Sequence, residues 1–228
     1  MKFWQMLAYM ELDQMLEAAI IAEEVGFTGV MGSDHALYPR NMESPYPYSQ
    51  DGKIFIDADT EFPDTWATTA AMAAVTKTLR FSTSIYILPL RNPLELAKAT
   101  STVSLISNER FILGAGIGWM KEEFDNFGVD FRTRGRRMDE TIEVLNKLWQ
   151  KDWVEHHGEF FQYDGIRVSP QPRERIPIYT GGSSKAALRR AARVADGFIG
   201  HGNTPDEVPG LMQALTELRK EYGREDQP

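Results

Sequence analysis

Short apolar segments alternate along the chain with longer stretches in which apolar residues recur every three or four positions. The short segments are typical of buried strands, and the longer stretches are typical of helices with one buried face. Such alternation predicts an α/β protein in which helices connect parallel strands. The strands are expected at residues 3–9, 28–31, 80–88, 110–115, 176–180 and 197–199.

The predicted helices carry recognisable boundary signals. Gly26 is a good terminator for the first helix, whose buried face is predicted to hold Leu12, Met15, Leu16, Ala19 and Ala22. Asn92 and Pro93 form a favourable start for the third helix. Thr204 and Glu207 have capping-box spacing before the last helix, which is predicted to bury Leu211, Leu215 and Leu218. Pro209 either interrupts its first turns or marks a later start.

Two longer segments interrupt the alternation. Residues 36–62 are polar and contain several Pro and Tyr residues, and residues 153–175 form a second excursion for which a hairpin is one interpretation. Long insertions often carry function. With 228 residues, 42% of them hydrophobic, and no low-complexity tract, we expect one domain over 1–228 that carries both insertions.

Charge and composition exclude several classes of partner. The formal net charge is -8, which disfavours nucleic acid because such binding needs clustered basic residues. The chain contains no cysteine, so disulfides and thiolate chemistry are excluded. It has no apolar run long enough to span a membrane and no recognisable leader, so a cytoplasmic protein is the simplest expectation.

Several segments, taken in order, resemble the luciferase-like monooxygenase family. They are residues 32–35, 88–93, 110–119, 122–124, 134–140, 176–183, 190–192 and 195–197. Together they extend over nearly the whole chain. The resemblance implies a TIM-type (β/α) barrel, which needs eight β/α units to close. Because six units are predicted here, either two strands escape the pattern or the last two units are absent, and we favour the second explanation.

Asp34 and His35 follow the second predicted strand, at the end where barrel active sites gather. A buried carboxylate beside an imidazole can orient it or set its protonation, although the two residues could also cap the loop. The pair is similar to one found in the subgroup that uses coenzyme F420. His35 is therefore the first candidate for a proton donor or acceptor, with Asp34 also expected to bind the cofactor.

Family members carry a non-proline cis peptide that supports the cofactor ring, and the resemblance places it at Ser84–Ile85. An ordinary trans strand end is the alternative. Gly116 and Gly118 let the backbone approach a flat cofactor, or serve only as turn residues. Their spacing differs from a dinucleotide-binding fingerprint.

Trp119 is counted as catalytic because the substrate is expected to stack on it. It also stands where sugar-phosphate dehydrogenases of the subgroup have an acidic glutamate, which makes that substrate doubtful.

Thr180, Gly181, Gly182 and Ser183 join a strand to a helix. Free N–H groups and the helix dipole favour an anion there, most simply the cofactor phosphate, whereas Ser183 could equally be a plain N-cap. Three other polar residues, His156, His157 and His201, lack ligand spacing, so we expect surface or loop positions for them and no metal site.

The resemblance implies an oxidoreductase that uses coenzyme F420 for hydride transfer to or from a small organic substrate. An FMN-dependent monooxygenase is the alternative, and a non-catalytic flavin-binding or dimerisation protein is a second one. The substrate pocket should be lined by the 36–62 insertion and Trp119. A homodimer is expected by resemblance alone.

Overall fold

The computed structural model describes residues 1–150, 152–182 and 184–227. Its strands are β1 (Trp4–Met6), β2 (Gly29–Gly32), β3 (Arg80–Thr83), β4 (Tyr86–Ile87), β5 (Phe111–Gly116), β6 (Val154–His157), β7 (Gln162–Ile166), β8 (Ile178–Gly181) and β9 (Gly197–Ile199). Its helices are α1 (Met15–Glu24), α2 (Thr65–Val75), α3 (Pro93–Ile106), α4 (Lys121–Asn126), α5 (Arg134–Leu148), α6 (Lys185–Val194) and α7 (Val208–Glu221).

A parallel sheet organises the fold. The strand order is β1-β2-β3-β5-β8-β9, and β4 pairs with β5 beyond the end of β3. The sheet curls into part of a (β/α) barrel, so the predicted fold class is confirmed. Within the described residues, β1 and β9 are its two edges.

The core lies between the strands and the helices that connect them. All six residues of β5 are buried, as expected for a central strand of a parallel sheet. From the helices the core receives Ala19, Met72, Leu96, Met138 and Leu145, and from the strands it receives Val30, Phe81, Phe111, Leu113 and Ile178. None of the described helices is long and apolar enough to cross a membrane.

Three helix predictions need correction. Met15, Ala19 and Ala22 of the first predicted face are buried, but Leu12 and Leu16 are exposed. Leu12 lies outside α1, in a separate short 3-10 turn. For α6, the sequence offered Ser183 as a possible N-cap. The N-cap is Ser184, whose hydroxyl oxygen accepts a hydrogen bond from the Ala187 N–H.

The last helix starts late, as Pro209 indicated. Pro209 occupies its first turn, and the Thr204 N–H donates to the Glu207 carboxylate at 2.8 Å just before it. Only Leu215 of the three leucines predicted to be buried in α7 is buried. The helix therefore contributes little to the core.

The two insertions differ in structure. Residues 36–62 contain no assigned helix or strand, whereas β6 and β7 form the antiparallel hairpin that residues 153–175 suggested. The hairpin is fixed to α5 by Glu140, which accepts N–H bonds from Phe160 and Phe161. Glu140 also contacts His156 Nε2 at 3.1 Å, and His156 is buried. The prediction of a surface or loop position was thus wrong for His156, which is a strand residue with a carboxylate partner.

Candidate active site

A cavity of about 1230 Å³ lies at the carboxyl ends of the parallel strands. Residues from the ends of β2, β4, β5 and β8 line it, and the 36–62 insertion forms one side. Its volume exceeds the range of about 300–1,000 Å³ that is usual for small-molecule pockets. The cavity therefore has room for a cofactor ring together with a second small molecule.

His35 is held by a glutamate from a distant part of the chain. Its Nδ1 lies 2.9 Å from Glu123 Oε2, and the other Glu123 oxygen accepts the Ala36 N–H at 2.8 Å. The Glu123 side chain is fully buried, and His35 lines the cavity. An ionised carboxylate can only accept hydrogen bonds, so this contact favours a proton on Nδ1 and leaves Nε2 free of Glu123.

Asp34 contacts Arg91. Asp34 Oδ1 is 2.7 Å from Arg91 Nη2, and its Oδ2 accepts the Ile87 N–H at 3.0 Å. Burial raises the pKa of the Asp34 carboxyl, and Arg91 and the Ile87 N–H oppose that shift. The expectation that Asp34 orients the imidazole was wrong, because both of its oxygens are engaged elsewhere and Glu123 is the carboxylate that binds His35.

Arg91 in turn packs against aromatic rings. Its guanidinium carbon lies 4.9 Å from the centroid of the Tyr86 ring, and the Tyr86 hydroxyl accepts the Trp66 indole N–H at 2.9 Å. Burial raises the pKa of Tyr86 to about 12. The phenol therefore stays protonated at neutral pH, and the group as a whole fixes the position of Asp34.

Aromatic side chains surround His35 on the cavity side. The centroid of its ring lies 5.2 Å from that of Phe62 and 5.8 Å from that of Trp119, both in edge-on geometry. Tyr46 of the insertion contacts Trp119 at 5.2 Å. Trp119 thus lies beside His35 in the cavity, and its role as a surface on which the substrate stacks stays a prediction.

The floor of the cavity consists of backbone and small residues. The Ser84–Ile85 peptide is cis, as the resemblance implied, and both residues line the cavity together with Gly116 and Gly181. A Cβ at Gly116 would overlap Ile85 Cδ1, and one at Gly181 would lie 3.0 Å from Ile85 Cγ2. Glycine at these positions leaves room for the Ile85 side chain on the cavity floor.

The start of α6 forms one end of the cavity. Gly182, at φ 129°, lines the cavity with Ser184 and Arg190. Arg134 also lines it, and its buried Nε has no hydrogen-bond partner within the described residues. Free N–H groups, a helix N-terminus and the Arg134 guanidinium favour an anion at this end, whereas Arg190 is already paired with Asp139.

Three predicted binding residues need separate comment. Ser183 lies outside the described residues. Thr180 is buried within β8 and is not among the cavity-lining residues, so its side chain does not reach the site. Gly118 lines the cavity and has φ 75°, a conformation that glycine adopts readily.

Glu122 attaches the insertion to the same short helix that carries Glu123. One Glu122 oxygen accepts the N–H groups of Glu43 and Ser44 at 2.7 and 2.9 Å, and the Ser44 hydroxyl accepts the Lys121 N–H. Consecutive glutamates therefore fix two points of the insertion over the cavity. Within the described residues, no group of three or more histidines or carboxylates could hold a metal ion.

The predicted site residues did not include Arg91, Arg134 or Arg190, and for Glu123 the sequence left open whether it closes the site or only begins a helical turn. All four lie in segments that carry the family resemblance. Charged residues at the ends of predicted strands and helices are the signal that could have identified them. The sequence could not show which of these charges meet, because their partners are far apart along the chain.

The luciferase-like monooxygenase family matches residues 1–228, so the chain belongs to this family. An uncharacterized protein of Mycobacterium tuberculosis is 37% identical over 225 residues, which are 98% of this chain and 77% of that protein. The F420-dependent glucose-6-phosphate dehydrogenase of Amycolatopsis mediterranei is 31% identical over 189 residues, which are 81% of this chain and 52% of that enzyme.

Solved structures show the same fold. An F420-dependent secondary alcohol dehydrogenase in complex with an F420-acetone adduct matches 98% of this chain and 66% of its own length, with a TM-score of 0.80 and 23% identity. The FMN-bound oxygenating constituent of 3,6-diketocamphane monooxygenase from Pseudomonas putida matches 100% of this chain and 64% of its own length, with a TM-score of 0.77 and 19% identity. At these identities, the shared property is the fold.

Proposed function

We propose that the protein is an oxidoreductase that uses coenzyme F420 for hydride transfer to or from a small organic substrate. The observation that carries this proposal is His35, held by the buried Glu123 at the wall of the cavity whose floor is Ser84–Ile85 and Gly116. A proton-transfer group thus lies in the same cavity as a surface suited to a flat ring.

The residues present fit a deazaflavin or flavin cofactor. Ile85 and the glycines around it offer a floor without protruding polar side chains. Gly182 and Ser184 offer N–H groups for a phosphate, and Arg134 nearby offers positive charge. When bound, such a cofactor supplies the hydride chemistry.

The chain itself would manage the proton. In the oxidising direction, His35 Nε2 would accept the proton of a substrate hydroxyl, and in the reducing direction the same nitrogen would return a proton to the carbonyl oxygen. Glu123 would hold the imidazole in place and stabilise its charged form. The rings of Phe62 and Trp119 would limit the access of water to this proton.

Coenzyme F420 is favoured over FMN on two grounds. The dehydrogenase of Amycolatopsis mediterranei is F420-dependent by name and is 31% identical over most of this chain. The Asp34-His35 pair is also similar to the one expected in the F420-using subgroup. An FMN-dependent monooxygenase remains the second candidate, since an FMN-bound monooxygenase shares the fold.

Equilibrium binding of F420 and of FMN to the purified chain tests the proposal. We expect F420 to bind more tightly than FMN, and a His35→Ala variant to retain F420 binding while losing turnover by about 10²–10⁴-fold. Tighter binding of FMN would replace the first candidate with the second. Failure of both cofactors to bind would contradict the enzymatic proposal and favour a non-catalytic role.

A further inference from the structure

The side of the cavity facing His35 carries a connected group of aromatic rings. Six residues from three segments of the chain line it, namely Tyr9, Tyr46, Tyr48, Phe55, Phe62 and Trp119. They form a connected set of edge-on contacts, with ring centroids 5.0 Å apart for Tyr9 and Phe55 and 5.7 Å apart for Tyr9 and Phe62. We call this set the aromatic wall.

Part of the aromatic wall is open to solvent although it lies inside a concave site. Phe55 is 72% exposed, and Tyr9 and Tyr48 are 43% and 42% exposed. Exposed apolar surface that lines a pocket marks a place where a ligand excludes water. The hydroxyl groups do not add charge, because burial raises the pKa of Tyr9, Tyr46 and Tyr48 above the ordinary value for tyrosine.

The charges beside the aromatic wall disfavour an anion. Glu43, Glu122 and Asp125 line this part of the cavity, and the nearby cation, Lys121, is paired with Asp125. Of the two arginines that line the cavity, Arg190 is paired with Asp139 and Arg134 lies over the Phe131 ring. An anionic substrate beside His35 would meet a surplus of negative charge.

We infer that the substrate is an uncharged ring-containing compound whose reacting hydroxyl or carbonyl group faces His35, and that the aromatic wall determines this specificity. The same charges disfavour phosphorylated sugars. This inference rests on the proposed function for the reacting group. The positions of the aromatic wall and of the charges beside it do not depend on which cofactor binds.

Ligand-detected saturation-transfer NMR tests the inference on the full chain, first without cofactor and then with whichever cofactor binds. The probes are acetophenone and glucose 6-phosphate. We expect acetophenone to receive saturation and glucose 6-phosphate to bind at least about tenfold more weakly. Phe55→Ala and Tyr46→Ala should each weaken acetophenone binding by up to about tenfold, the scale of one aromatic contact.

Tyr38→Ala is the matched control, because Tyr38 is a tyrosine of the same insertion that is exposed and is not among the cavity-lining residues. It should bind acetophenone as the wild type does. Glucose 6-phosphate binding as tightly as acetophenone would overturn the inference, and so would unchanged acetophenone binding by Phe55→Ala and Tyr46→Ala. If no cofactor binds, the proposed function fails, but the ranking of the probes on the cofactor-free chain still decides this inference.

Discussion

Glu123 Oε2 lies 2.9 Å from Nδ1 of His35, although the two residues are separated by 88 positions in the sequence. The glutamate comes from the short helix α4, which follows β5, and the histidine follows β2. Because the sheet is parallel, the carboxyl ends of both strands lie at the same edge of it. The contact therefore depends on the curled sheet, which brings the loops after these two strands together.

This contact predicts the tautomer of His35. We expect neutral His35 to carry its proton on Nδ1, because the carboxylate of Glu123 accepts it. Long-range ¹⁵N–¹H NMR spectra of the imidazoles should show this form, with His35→Gln used for assignment. Glu123→Gln should weaken the preference and lower turnover without changing cofactor affinity. A His35 proton on Nε2 in the wild type would contradict the prediction.

Removal of the Asp34 charge should destabilise the protein. Asp34→Asn leaves the partly buried Arg91 guanidinium without its carboxylate, and loss of one partner from a buried pair costs about 3–5 kcal/mol. The free energy of unfolding from urea titration measures the effect. Asp125→Asn is the control, since its pair with Lys121 is exposed and such pairs contribute about 0–1 kcal/mol. Equal losses in the two variants would refute this account.

A methyl group on the cavity floor should impair cofactor binding. Gly116→Ala places a Cβ against Ile85 Cδ1, so the Ile85 side chain must move toward the ring site. We expect the dissociation constant of the cofactor to rise by about tenfold, within the 1–3 kcal/mol that overpacking usually costs. Gly32→Ala is the control, because a Cβ there meets no atom within 4 Å. Similar cofactor affinities for both variants would argue against Gly116 and Ile85 as the floor of the cofactor site.

Glu23 should make stability depend on pH in acid. It accepts the N–H groups of Lys77 and Leu79 at 2.9 and 2.7 Å. Against the effect of burial, these and the Thr78 donors lower the pKa of Glu23 from 4.5 to about 2. The folded state therefore binds the proton less readily than the unfolded state. The stabilising contribution is complete above pH 4.5 and is lost as the pH falls toward 2.

Glu23→Gln should accordingly lower the free energy of unfolding by about 1–2 kcal/mol at neutral pH. The difference in the free energy of unfolding between this variant and the wild type should shrink as the pH falls from 4.5 to about 2. Urea titrations over the acid range measure it, with the exposed neighbour Glu24→Gln as the control. A difference that grows on acidification would show that the sign is wrong.

The sequence by itself determined the order of the sheet strands and of the longer helices, but not the short helix α4. The alternation of apolar segments reports which residues are buried, and burial follows the period of each local element. The positions of Asp34, His35, Gly116 and Trp119 at strand ends followed directly, and the hairpin within residues 153–175 was one interpretation that the structure confirms. These features depend on neighbours in the chain.

Only the tertiary structure decided which charges meet. Asp34 and His35 are adjacent in sequence, yet Asp34 pairs with Arg91 and His35 with Glu123, two residues that come from different segments of the chain. The split of the third predicted strand into β3 and β4 likewise requires β5 as a partner. Long-range hydrogen bonds depend on distances in space, which a local pattern of apolar residues does not encode.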